Sequence, residues 1–137
     1  MRKNEVENLL KIHGIRPSLH RMRIYEYLLH NRIHPNVDSI YQELIKEIPT
    51  LSKTTLYNTL DLFVEKGLVL LITIAENEKR YDADTSLHGH FICKNCRHIF
   101  DVRIGSVKEV LADLEGFDVH EKQIYFKGLC PGCLAHK

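Results

Sequence analysis

Apolar positions in the first half of the chain recur at helical spacing, in blocks closed by turn residues. Val6, Leu9, Leu10 and Ile12 mark a helix over Glu5 to His13 that Gly14 stops. Pro17-Ser18 opens a second helix, with Met22, Ile24, Tyr25, Leu28 and Leu29 turned inward. After Pro35, the stretch VDSIYQELIKEIP carries a third stripe, Val37, Ile40, Tyr41, Leu44 and Ile45, ending at Pro49. In LSKTTLYNTLDLFVEKG, Ser52 suits an N-cap, Leu56, Leu60, Phe63 and Val64 form the buried stripe, and Gly67 suits the C-cap.

The period then changes. LVLLITIAENEKRYDAD predicts two strands joined at Glu76-Asn77-Glu78. Helix, helix, turn, helix and hairpin is the order of a winged helix-turn-helix. Further on, GHFIC and RHIFDVRI read as strands, SVKEVLADLEG as an amphipathic helix, and FDVHEKQIYFKGLC as a further strand pair. The expected class is therefore α+β: a winged helix over residues 1–83 and a small α/β dimerisation and metal-binding domain over 84–137, with the boundary near Asp82 to Ser86.

Composition narrows the partners. The 137 residues, 44% hydrophobic and 27% charged, suit one soluble domain or two small ones. MRKNEVENLLKIHG is too charged for a signal peptide or a membrane span, which predicts a cytoplasmic protein with reduced thiols. The net charge is only +1, but Arg2, Lys3, Lys11, Arg16, Arg21, Arg23 and Arg32 outnumber Glu5, Glu7 and Glu26 at the N-terminal end. That points to nucleic acid, although a solvated helix face accounts for it equally well. In a helix-turn-helix the second helix enters the major groove by its first turns, which here hold Ser52, Lys53, Thr54, Thr55, Tyr57 and Asn58. Hydroxyls and an amide can read base edges or bind phosphate; Ser and Thr also serve plain capping.

The ligand-type residues are concentrated late. Cys93-x-x-Cys96 and Cys130-x-x-Cys133 each present two thiolates, and together they make a closed Cys₄ site suited to structural Zn²⁺. His88 and His90, at i and i+2, share one face of a strand. With Asp82, Asp84, Asp101 or His34 they would form an N/O site favouring Fe²⁺, Mn²⁺ or Zn²⁺; an exposed polar loop is the alternative. A zinc deaminase needs H-x-E, and His90 stands where the Glu would be, so an enzyme is not expected.

Taken together, these residues resemble the ferric uptake regulator (Fur) family. The resemblance spans nearly the whole chain. It is carried by Gly14-Ile15-Arg16 with Arg21, His34-Pro35, Ile40-Tyr41, Ser52, Thr55-Leu56-Tyr57, Gly67-Leu68-Val69 and Arg80-Tyr81-Asp82. His88-x-His90, the two cysteine pairs, Asp101 and Gly116-Phe117 complete it. It implies a cytoplasmic homodimeric repressor that binds a double-stranded operator with an inverted repeat, holding structural Zn²⁺ at the cysteines. It also implies a regulatory Fe²⁺ or Mn²⁺ at His34, Asp82, His88, His90 and Asp101, bridging the two halves of the chain. Iron-sensing members usually carry Glu where this chain has Asp101, whereas the peroxide-sensing (PerR-like) branch carries Asp. The resemblance therefore implies peroxide sensing by oxidation of ligands His34 and His88, with an iron-sensing or a zinc- or manganese-sensing regulator as alternatives. Two departures stand out. The family's T-P-Q-R reads Ser18-Leu19-His20-Arg21, and a further metal site of some members falls on Leu87, Gly89 and Lys122, with His120 displaced, so no third site is expected.

Overall fold

The computed structural model describes residues 2–73 and 78–136, in two compact units, Met1–Thr85 and Ser86–Lys137. The first unit is α1 (Lys3–Ile12), α2 (Leu19–His30), α3 (Val37–Leu44), α4 (Lys53–Glu65), β1 (Leu70–Ile72) and β2 (Arg80–Asp82). Local chemistry sets the helix ends. The side chains of Ser18, Asn36 and Ser52 accept from the backbone N–H of Arg21, Ser39 and Thr55. Gly14 and Gly67 close α1 and α4 with φ of +74° and +77°, a conformation that costs other residues. The apolar stripes meet in one core of Val6, Leu10, Ile24, Leu28, Ile40, Leu44, Leu56, Leu60 and Phe63. Tyr25 meets Phe63 edge-on at 6.0 Å.

Two expectations need trimming. The third helix ends at Leu44, not near Pro49: Glu47 and Ile48 both donate to the Leu44 carbonyl, tightening the chain into a turn. The hairpin pairs only Leu70 with Asp82, Leu71 with Tyr81 and Ile72 with Arg80. Of the turn expected at Glu76-Asn77-Glu78, Glu76 and Asn77 lie outside the described residues.

The second unit contains β3 (His88–Cys93), β4 (Ile99–Arg103), α5 (Lys108–Asp113), β5 (Tyr125–Gly128) and α6 (Pro131–Ala135). The sheet order is β4-β3-β5, with β4 antiparallel and β5 parallel to the central β3. The strand pair expected over FDVHEKQIYFKGLC is instead this single strand. A parallel neighbour needs a crossover rather than a hairpin, and α5 lies within it. Residues 117–123 stay exposed and outside the sheet. Cys130 caps α6 and Pro131 takes its first position, so the CPGC run winds into a helical turn.

Candidate functional site

The histidine pair of the second unit is built by strand register. His88 and His90 are two apart on β3, on one face, and their ring centroids lie 4.5 Å apart. Asp101 on β4 sits directly opposite His90, and Tyr125 opposite it on β5. Gly89, between the histidines, faces the other way against Ile104 and Ile124. A Cβ there would stand 3.2 Å from the Ile104 side chain and 3.3 Å from the Ile124 carbonyl, so a side chain would push β3 off its neighbours.

The Nε2 atoms of His88 and His90 lie 3.5 and 3.7 Å from the same Asp101 oxygen. Those distances are long for a hydrogen bond. The His88 distance suits two ligands of one ion, because atoms each about 2.1 Å from a metal stand roughly 3.0–3.5 Å apart, and the His90 distance lies just beyond that range. His88 Nδ1 lies 2.7 Å from the Ser86 carbonyl; donating there, it turns the other nitrogen toward the ion position. Both imidazoles are buried whereas Asp101 is half-exposed.

In the first unit a matching pair forms. His34 Nε2 stands 3.4 Å from Asp82 Oδ2, with both residues only 3% exposed. His34 holds a left-handed φ of +57°, strained for a residue with a side chain, and Arg80 Nη1 donates to its carbonyl at 3.0 Å. Asp82 is oriented by the backbone N–H of Asp84 on its second oxygen at 2.9 Å. Asp84, a candidate ligand from sequence, thus acts through its amide. Tyr125 was not singled out by the sequence, and Arg80 only as part of the Arg80-Tyr81-Asp82 motif, because their contacts depend on a partner 46 residues away or on another strand.

The four cysteines converge, with one sulfur from each lying within 4.8 Å of the others. Cys93 and Cys133 sulfurs are 3.5 Å apart, Cys96 and Cys130 sulfurs 3.8 Å. A disulfide would need about 2.05 Å. Tetrahedral Zn²⁺ with bonds of about 2.3 Å places its sulfurs roughly 3.8 Å apart. Backbone N–H groups of Cys130 and Cys96 hold the Cys93 thiol down at about 5. At Cys96 the His98 backbone N–H lowers the value, but burial and the neighbouring sulfurs outweigh it and push it up to about 11. Without a cation, the cluster resists holding four thiolates. A divalent ion removes that conflict.

At the other candidate surface, α4 turns Leu56, Leu60 and Phe63 into the core and leaves Ser52, Lys53, Thr54, Thr55, Tyr57 and Asn58 exposed at its N-terminal end. Arg21, His20, Ser18, Thr55, Asn58 and Thr59 line one shallow cavity beside it. Arg21 Nη1 donates to the Arg16 carbonyl at 2.9 Å, and Lys53 Nζ lies 2.9 Å from Asp38. No helix among the described residues is long and apolar enough to cross a membrane.

The chain is 36% identical over 132 residues to the peroxide operon regulator of Bacillus subtilis (strain 168), covering 94% of this chain and 91% of that protein. It is 32% identical over 123 residues to the peroxide-responsive repressor PerR of Staphylococcus aureus (strain Mu50 / ATCC 700699), covering 88% and 83%. The fold matches the Helicobacter pylori ferric uptake regulator with a TM-score of 0.77 at 15% identity, covering 98% of this chain and 95% of that one. It also matches PerR from Streptococcus pyogenes with a TM-score of 0.54 at 27% identity, covering 96% and 92%. The profile of the ferric uptake regulator family matches residues 12–127, and the chain belongs to that family.

Proposed function

We propose that the chain is a homodimeric, metal-dependent repressor of transcription, not an enzyme, that binds duplex DNA and is inactivated by peroxide. The observation that carries this reading is the spacing of the histidine–aspartate sets. His34 with Asp82, and His88 and His90 with Asp101, are each spaced as co-ligands rather than as hydrogen-bonded pairs. One ion held by all five would join the DNA-binding unit to the second unit and so fix the geometry of the reading helices. The curated relatives' names, a peroxide operon regulator and a peroxide-responsive repressor, support the stimulus.

Nitrogen and carboxylate donors suit Fe²⁺ or Mn²⁺. Fe²⁺ would supply one-electron reduction of peroxide, chemistry that Mn²⁺ lacks. The chain's part is to offer an oxidisable ring: in net terms one peroxide gives an oxygen atom to the imidazole of His34 or His88 and leaves as water. An oxygenated ring is a poorer donor, so the link between the units is lost and DNA is released. The cysteines, committed to Zn²⁺, take no part.

On DNA, Arg21 would bind phosphate, while Ser52, Lys53, Thr54, Thr55, Tyr57 and Asn58 form the reading end of α4. A dimer would favour an inverted repeat with half-sites roughly 34–36 Å apart. Exposed Phe100, Val110, Leu111, Phe117 and Phe126 supply apolar surface for pairing of the second unit.

The test loads the chain with Fe²⁺ or Mn²⁺ and measures operator binding and peptide masses before and after peroxide. Peroxide should add one oxygen to the His34 or His88 peptide and release DNA in the Fe²⁺ form only. Asp101→Glu should keep metal-dependent binding but blunt the oxidation. DNA retained through peroxide with unmodified histidines would favour the iron-sensing alternative.

A further inference from the structure

The four sulfurs do not share one environment. Cys93 and Cys130 are buried, whereas Cys96 is exposed and Cys133 is half-buried. The innermost sulfur, that of Cys93, accepts two backbone N–H groups, from Cys96 and Cys130, each at 3.4 Å. The two outer sulfurs are met by side chains. Asn95 Nδ2 donates to Cys133 Sγ at 3.3 Å, and His98 Nδ1 lies 3.4 Å from Cys96 Sγ, within reach to donate its N–H. Both donors sit in the short connection between β3 and β4, whose shape is set by Arg97 at a left-handed φ of +67° and by the Cys93 N–H to His98 carbonyl bond of 3.1 Å. The His98 ring also lies 6.2 Å from the Phe100 ring, tilted at 46°.

A thiolate attacks oxidants and electrophiles through a lone pair at sulfur. An N–H directed at that sulfur draws charge from the lone pair and occupies one line of approach; such outer contacts tune a metal site as strongly as they orient it. We propose that Asn95 and His98 are positioning residues that shield the outer sulfurs of half-buried Cys133 and exposed Cys96, so that the zinc site stays inert in a protein whose other metal site must react with peroxide. This rests on the zinc reading of the four cysteines. It explains how a half-open Cys₄ cluster and a peroxide-sensitive histidine cluster can occupy one small unit without the sulfurs being consumed first.

The test uses the zinc-loaded full chain and N-ethylmaleimide at fixed pH. The thiolate forms one C–S bond to the maleimide ring, water protonates the adjacent carbon, and the sulfur is lost as a ligand. Peptide mapping gives a rate for each cysteine, and a chromogenic chelator follows zinc release. Asn95 and His98 are both exposed, so the variants threaten the fold little. Asn95→Leu keeps a branched shape without a donor and should speed alkylation of Cys133 about tenfold; His98→Phe should do the same at Cys96. His98→Asn, which restores a side-chain N–H, should return Cys96 toward the parent rate. Unchanged rates at Cys96 and Cys133 in a chain still holding one zinc would overturn the shield alone. So would equal acceleration of all four cysteines, which marks general loosening. A parent chain that holds no zinc before the reagent is added overturns the zinc reading and the shield with it.

Discussion

Tyr81 and Asp82 show how much one residue's neighbours decide. Strand alternation sends Asp82 toward His34 and Tyr81 to the opposite face. There the Tyr81 hydroxyl is buried with no hydrogen-bond partner among the described residues. Burial first, then the charges of Asp61 and Tyr57, push it up to about 12 from 10.0. A buried polar group without a partner costs about 1–3 kcal/mol, so Tyr81→Phe should raise unfolding stability by roughly 1 kcal/mol in urea titration. The pH sign follows from the same shift. The unfolded chain loses the proton near pH 10 and the folded chain near 12, so the parent should lose stability as pH rises across that window. The phenylalanine variant should lose less there, and a variant less stable than the parent at neutral pH would show that the hydroxyl is satisfied after all.

At the scale of elements, the helices were legible because their signals are local. Ser52 illustrates this: its Oγ accepts from Thr55 N–H at 3.1 Å and donates to Thr55 Oγ1 at 2.9 Å, within four consecutive residues. The apolar stripe of α4 likewise lies within one element. What the sequence misassigned depends on distant partners. Whether residues 117–129 make one strand or two is decided by β3, more than twenty residues earlier, and the apolar letters Phe117 and Val119 that suggested a strand lie exposed. The ligand types were legible for the same local reason, whereas the donors to His34, Cys96 and Cys133 were not. Ser52→Ala should cost about 1 kcal/mol of stability by removing the cap. Ser52→Asp keeps an acceptor and should hold stability near the parent, yet weaken DNA binding by bringing a negative charge to the phosphates. Thermal melts beside DNA titrations separate the two effects. Equal DNA affinity in the aspartate variant would move the DNA surface away from this end of α4.

For the whole molecule, the two units differ in what holds each together. The continuous apolar core lies within residues 6–83. Among the described residues after Ser86, the buried apolar side chains are Ile92, Cys93 and Cys130. A unit of about fifty residues with so thin a core needs a staple, and two of its three buried apolar side chains are cysteines of the metal cluster. Binding of Zn²⁺ is therefore folding free energy for this unit, whereas the first unit draws none from it. Cys93→Ser, or a strong chelator, should remove the β-sheet signal of the second unit and abolish the dimer while leaving the helical first unit folded. Circular dichroism should then show a helical transition close to the parent's, and analytical ultracentrifugation a monomer. DNA binding should fall to the weak, steeply salt-dependent level of a single winged helix. If the zinc-free chain instead remains dimeric and its sheet melts where the parent's does, the apolar surface of Phe100, Val110, Leu111, Phe117 and Phe126 holds the second unit without the metal.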